Sequence, residues 1–315
     1  MAVAGLDIGG TKISGAIFSE NGQILFRDSC KLENRSGDEA GALVQQLAVK
    51  LFEAAAKQPV NIRAVGICVP GISYHQTGCA WVPNIPGWDN YPIKQKVEEV
   101  APIDCKIVVD SDRACAILGE NWLGAAKGCN DAIFLAVGTG IGAGILVNGK
   151  ILRGAHDIGG AIGWWALDRP YMDKYKPCGC FEYHASGEGL ARVARDLLEN
   201  QKDYHGILRK KSPEQVTAYD LFEAYKTKDV IAVQTFDTAI QFWGMTVANL
   251  VSIFDPEKII FGGGVFGPAT IFLDDIYQEA KKHAQPVSIQ KVALEASQLG
   301  GEAVLTGAGY IALNA

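Results

Sequence analysis

Two stretches of the chain, 127 residues apart (148 − 21), are built on one plan. "GLDIGGTKISGAIFSENGQILF" runs from Gly5 to Phe26, and "IFLAVGTGIGAGILVNGKILRG" runs from Ile133 to Gly154. Asn21-Gly22 meets Asn148-Gly149 at that offset, which also pairs Gly15 with Gly142, Ala16 with Ala143, Ile24 with Ile151 and Leu25 with Leu152. Each stretch reads as strand, glycine-rich turn, strand, Asn-Gly hairpin, strand. Asn-Gly suits the two-residue turn that needs positive φ at both positions. Duplication therefore predicts two related α/β halves facing each other across a cleft. Each half would bring a glycine loop with backbone N–H groups bare enough to approach a phosphate. Asp7, at the end of an apolar strand, is badly placed for packing and well placed to hold a cation or a water near that phosphate.

Composition narrows the partners. With 48% hydrophobic and 20% charged residues, the 315-residue chain is ordinary globular material, long enough for two domains. A net charge of −6 argues against nucleic acid or an anionic membrane as the main partner. No apolar run reaches the ~18–20 residues of a membrane helix and no signal peptide precedes the first strand, so the expectation is a cytoplasmic protein. Its eight cysteines are expected to remain thiols.

Between the hairpins, "GDEAGALVQQLAVKLFEAAAKQ" has helical spacing. "IRAVGICVPG" is a buried strand ending in a Pro70-Gly71 turn, "WVPNIPGWDNYP" is a loop, and "CKIVVDSDRACAILGENWLGA" is a strand running into a helix. Helices fill most of 186–200 and 217–253. "EKIIFGGGVFG" adds a strand and a third glycine turn, at Gly262, Gly263 and Gly264, and a final helix closes the chain. The expected division is a smaller domain over 1–115, joined by the C-terminal helix at about 301–315, and a larger one over 116–300.

The glycine loops match neither G-x-x-x-x-G-K-[ST] nor G-x-G-x-x-G, since after Gly138 and Gly140 the third glycine would fall at Ala143. Three such loops, two in duplicated hairpins, instead resemble the actin, hexokinase and heat-shock ATPase superfamily. Within it the chain resembles the ROK family of sugar kinases and repressors over essentially all its length. The matching stretches are "DIGGTK" (7–12), "VGICVPG" (65–71), "PNIPGW" (83–88), "DSDRACAILGE" (110–120), "GTGIGAGI" (138–145), "GCFEYHASG" (179–187) and "DPEKIIFGGGV" (255–265). The resemblance implies duplicated ribonuclease-H-like domains flanking an active-site cleft, ATP and Mg²⁺ as cofactors, and a homodimer.

Phosphoryl transfer to an alcohol needs phosphate positioning, a divalent cation and a base near the attacking hydroxyl. Gly9, Gly10, Thr11 and Lys12 in one loop and Gly138, Thr139 and Gly140 in the other would supply N–H groups and hydroxyls. Asp7 would orient Mg²⁺ through water. Asp112, at a strand-to-helix turn facing the cleft, is the candidate base; Asp110, Ser111 and Asp112 are also all good helix-capping types. By resemblance, Asp112 matches the aspartate that accepts the sugar hydroxyl proton, while Asn84 and Glu182 match sugar-contacting positions; Pro70, Gly71, Ser111 and Trp164 are the other expected sugar-binding residues. Trp88 reads as a packing residue.

Three departures from the family bear on the sugar. Ala161-Ile162-Gly163-Trp164 stands where most members have Glu-x-Gly-His, and Ser111 replaces an asparagine. Of the family's zinc-binding cysteines only Cys180 survives; the other two positions fall on Tyr175 and Asp173. One thiol cannot hold a tetrahedral zinc, so none is expected. Trp164 could stack on a pyranose face, a glycoside or an N-acyl group, or simply pack beside Trp165. The leading reading is an ATP-dependent kinase for O6 of a hexose or hexose derivative. Alternatives are an inactive sugar or nucleotide binder, and a sugar-responsive regulator, for whose DNA-binding domain no room precedes residue 7.

Overall fold

The structure, a computed structural model, describes residues 2–58 and 60–315. The first half runs β1 (Ala2–Ile8), β2 (Lys12–Ser19), β3 (Ile24–Lys31), α1 (Gly37–Lys57), β4 (Ile62–Val69), β5 (Ile72–Tyr74), β6 (Cys79–Trp81), α2 (Ile93–Glu98), β7 (Lys106–Ser111) and α3 (Asp112–Leu123). The second runs β8 (Ala132–Val137), β9 (Ile141–Val147), β10 (Lys150–Ile151), α4 (Cys180–Ala185), α5 (Gly187–Asn200), α6 (Ala218–Lys226), α7 (Val230–Phe254), β11 (Lys258–Gly262), α8 (Leu273–Lys281), β12 (Ala293–Ala296) and α9 (Ala303–Leu313).

Two five-stranded sheets carry the same topology. Their orders are β3-β2-β1-β4-β7 and β10-β9-β8-β11-β12. In each, the first three strands pair antiparallel and the last two join in parallel. The two related α/β halves expected from the repeated hairpin are present, in the duplicated ribonuclease-H-like form that the family resemblance implies. Strands buried on both faces explain the near-continuous apolar runs of β1, β4 and β8.

The two Asn-Gly turns differ. Asn148 (φ 50°) and Gly149 (φ 72°) form the expected two-residue link, with Val147 paired to Lys150. In the first hairpin only Gly22 has positive φ (84°), and the loop spans residues 20–23. Ser19 explains the difference: its hydroxyl bonds Asn21 and accepts the Gln23 N–H at 3.0 Å, so a wider turn is satisfied locally. A further feature is the β5–β6 hairpin, in the stretch between the Pro70-Gly71 turn and the loop that starts at Trp81, for which the sequence offered no reading.

Helix α1 covers one face of the first sheet, where Val44, Leu47 and Leu51 meet Leu6, Ile13 and Ile67. Helices α4, α5 and α7 bury a large aromatic-rich core against the second sheet, including Phe181, Phe236 and Trp243. Between the sheets α3 and α9 cross at backbone contact, since a β-carbon on Gly307 would strike the Cys115 carbonyl and one on Gly119 the Ala303 carbonyl. Among the described residues no helix is long and apolar enough to cross a membrane. All eight cysteines are free thiols.

Candidate active site

A cleft of about 490 Å³ opens between the halves. The first half contributes Pro70, Gly71, Ile72, Trp81, Pro83, Asp112 and Arg113 to its walls, and the second contributes Gly138–Gly142, Ile158, Ala161, Trp164, Glu182 and Gly263. A second pocket of about 310 Å³ begins where the first ends, because both are lined by Gly138 and Thr139. It continues past Gly187, Glu188, Arg195, Thr217, Tyr219 and Gly264.

Asp112 stands at the mouth of a helix it does not cap. Ser111 is the N-cap of α3, its hydroxyl accepting the Ala114 N–H at 3.3 Å. Asp112 accepts its neighbour's N–H, from Arg113 at 2.8 Å, and keeps a side chain 43% open to the cleft. Surrounding protein still strips much of its water. Burial raises the Asp112 carboxyl above the usual carboxylate range, while the Arg113 guanidinium and N–H pull it back. Arg113 was not singled out by the sequence; its guanidinium lies 4.0 Å from Asp112 and 3.5 Å from the Gly71 carbonyl.

Asp110, two residues earlier, is buried instead of facing the cleft. It pairs with Arg153 at 2.6 Å and accepts the Ser111 N–H at 2.8 Å. The pair joins β7 of one half to the segment after β10 of the other. Asp7 is pushed up to about 6, chiefly by burial and then by the charges of Asp112 and Glu302, with a Cys68 hydrogen bond and Lys12 in partial opposition. Carboxylate oxygen is the hard donor type that Mg²⁺ takes, and Asp7 supplies one such group beside the cleft.

Glu182, in the first turn of α4, is less free than its sequence context suggests. Its Oε2 accepts the Ile141 N–H at 2.7 Å, so it braces the end of the Gly138–Gly140 loop. Burial raises its carboxyl despite that bond. Gly138 is fixed from both sides, its N–H donating to the Gly140 carbonyl and its own carbonyl accepting from Gly187.

Other expected residues are distributed unevenly. Trp164 is 59% exposed on the cleft wall, so the alternative that it packs in the core is not what the fold does with it. Trp88 is buried, stacked 4.4 Å from Tyr91. Gly263, at φ 87° against the Val137 carbonyl, lines the cleft, and Gly264 lines the second pocket. Gly262 lines neither; it ends β11, buried where a β-carbon would strike the Phe134 ring. The loop Gly9–Lys12 also lies outside the cleft lining, although Gly9 closes its turn through the Lys12 carbonyl at 2.9 Å. Asn84 follows Pro83 and faces that loop: a β-carbon on Gly10 would lie 3.7 Å from it.

The residues at the family's zinc positions do not fit a metal site. Tyr175 is buried, and its hydroxyl meets His184 Nε2 at 2.9 Å and Asp168 at 3.3 Å. Cys180 is buried beside it, and Trp164 holds a histidine's place on the cleft wall. Aromatic packing and hydrogen bonds occupy the space that ligands would need.

A family model described as ROK family matches residues 3–315. The chain belongs to the ROK family. It is 30% identical to a ROK relative, the glucokinase of Halalkalibacterium halodurans, over 98% of this chain and 93% of that one. It is 26% identical to the β-glucoside kinase of Listeria monocytogenes over 98% and 97% of the two chains. A solved ROK family glucokinase from Streptomyces griseus, in complex with glucose and AMPPNP, superposes with a TM-score of 0.79 at 28% identity, covering the whole of both chains.

Proposed function

We propose that this protein is an ATP-dependent sugar kinase that transfers the γ-phosphate to a primary hydroxyl, O6, of a hexose or hexose derivative. The observation that carries the reading is Asp112: a cleft-facing carboxylate, relieved of capping by Ser111, in the same cleft as the Gly138–Gly140 loop, whose Gly138 and Thr139 also line the second pocket. Glucose as the ligand of the Streptomyces griseus structure and the kinase names of the two relatives support it.

The nucleoside enters the second pocket beside Gly264, and its phosphates cross the N–H groups of Thr139 and Gly140, the Gly138 N–H being taken by the Gly140 carbonyl. Asp112 accepts the proton of the sugar hydroxyl as its oxygen bonds to the γ-phosphorus and the bond to the β-phosphate oxygen breaks, releasing ADP. Asp7 is the residue that would hold Mg²⁺, which would supply neutralisation of charge on the phosphate oxygens. The Gly9–Lys12 loop and Asn84 reach the reactants only when the halves approach. Glu182 keeps one oxygen for the sugar while the other braces the loop.

An ADP-release assay over a panel of hexoses tests this. Turnover of at least one sugar is expected; sugar binding without ADP release across the panel would make the chain a binder and not an enzyme. The family resemblance also supports a homodimer, which light scattering of the purified chain decides.

A further inference from the structure

Helix α3 begins at Asp112 and carries Glu120 about two turns later. Glu120 is fully buried, at 0% exposure, where a bare carboxylate is costly. Its partners show how it is tolerated. The chain crosses between the halves twice, from α3 to β8 and from β12 back to α9. Both crossings bond to this one carboxylate. On the first, the Ala125 N–H donates to Oε2 at 2.7 Å. On the second, the Ser297 hydroxyl and the Leu299 N–H, at 3.0 Å, donate to Oε1, and the Gln298 N–H reaches Oε2 at 3.4 Å. A carboxylate only accepts, so these donors go far toward filling its capacity. Space is as tight as the bonding: a β-carbon on Gly124 would strike Oε2.

Beyond the bonded residues the return crossing loosens. Gly300 has φ 52°, and a β-carbon on either Gly300 or Gly301 would meet no atom within 4 Å. Farther on, α9 is seated on the first sheet, where a β-carbon on Gly66 of β4 would strike the Ala308 carbonyl. Backbone rotation can therefore gather at 300–301 while 297–299 stay with α3. The helix is a rod: eight steps (120 − 112) of about 1.5 Å separate Asp112 from Glu120 by ~12 Å, so a tilt at one end displaces the other.

Resting on the kinase reading above, we propose that Glu120 is a positioning residue for phosphoryl transfer. It ties both crossings to the C-terminal end of α3. When the halves close about the glycine pair, the helix keeps its orientation, and Asp112 arrives in register with the phosphate held at Thr139 and Gly140. Glu120 itself touches no reactant.

Two variants of the full-length chain test this. Glu120→Gln keeps the shape but turns one acceptor into a donor, which must face the N–H groups already there. Ser297→Ala removes a single bond at a partly buried position. Glucose, mannose, galactose, N-acetylglucosamine and N-acetylmannosamine are offered to the wild type, and the sugar turned over fastest is used throughout. A role in folding alone lowers the active fraction, which reduces apparent kcat but leaves KM and the ratio of ADP to phosphorylated sugar untouched. Misplacing Asp112 is expected to lower kcat by ~10–10²-fold in Glu120→Gln and to shift KM with it. ADP should also exceed phosphorylated sugar, as water takes the phosphate. Ser297→Ala should move the same readings the same way by a smaller factor. Unchanged KM and ratio in Glu120→Gln, or in Ser297→Ala where Glu120→Gln does not fold, overturn the proposal and leave Glu120 a buried brace. A wild type that phosphorylates no sugar of the panel removes the kinase reading and this role with it, so the two failures are told apart.

Discussion

Asp110 and Asp112 sit two residues apart on one strand-to-helix turn, yet their surroundings give them opposite duties. Asp112→Asn keeps the shape and a hydrogen-bonding amide but cannot accept a proton. Its kcat should fall by ~10²–10⁴ while sugar affinity shifts far less. Stopped-flow ADP release and a binding titration read the two apart. Retention of more than about a tenth of wild-type turnover would send the search for the base elsewhere, with Glu182 first. Asp110 faces Arg153 in a buried setting, so Arg153→Leu strands a carboxylate in the interior. A loss of about 2–3 kcal/mol in urea unfolding is expected, below the full cost of an orphaned charge because Arg153 is only partly buried. An unchanged unfolding midpoint would show the pair to be incidental. Which of three capping-type residues capped α3 could not be read from the sequence, because Asp, Ser and Asp are nearly equivalent as caps. The backbone direction at Ser111 decides it.

Elements differ in how far their sequences announce them. The repeated hairpin was legible because Asn-Gly, glycine loops and apolar runs are local signals, and α1, α5, α7 and α9 declare themselves by periodicity or apolar content. The β5–β6 hairpin was not, since "ISY" and "CAW" are too short to show alternation. The first turn was misread because a single hydroxyl, Ser19, widened it. The apolar cleft wall was half legible: Trp164 stood out, whereas Trp81 and Ile158, 77 residues apart (158 − 81), meet one cavity only through the fold. Helix α4 offers a prediction at this scale. Its His184 stacks 4.5 Å from Phe242 and accepts or donates to Tyr175, and burial, then the Lys174 charge, holds its ring down at about 4. Because the folded value lies below the ordinary 6.5, the neutral ring's contribution is complete above about pH 6.5. It is lost as pH falls toward 4. Relative to His184→Gln, which does not titrate, the wild type should lose on the order of 2 kcal/mol between pH 7 and 4.5, discounted for the ring's partial exposure. Thermal melts across that range measure it, and parallel curves for the two proteins would refute the assignment.

At the scale of the whole molecule, the residues that must act together are not yet together. Asp112, Glu182 and the Gly138–Gly140 loop share the cleft, while the Gly9–Lys12 loop lies outside its lining. Phosphate held from one side only would leave the reaction open to water and ATP open to wasteful hydrolysis. Closure solves both problems, and the fold supplies a pivot for it. Helices α3 and α9 cross between the two sheets with Gly119 and Gly307 at the contact, so the halves meet along this helix pair, about which a rotation would turn. Lid and domain motions of this kind commonly set turnover in enzymes that must sequester a reactive phosphate. Small-angle scattering on the protein with a sugar that it phosphorylates, plus a non-hydrolysable ATP analogue and Mg²⁺, should show a smaller radius of gyration than the free protein. Light scattering on the same samples should report an unchanged oligomeric state, so that the decrease is assigned to closure and not to dissociation. Superimposable curves at saturating ligand would mean that the halves are fixed, and the Gly9–Lys12 loop could then take no part in holding the transferred phosphate.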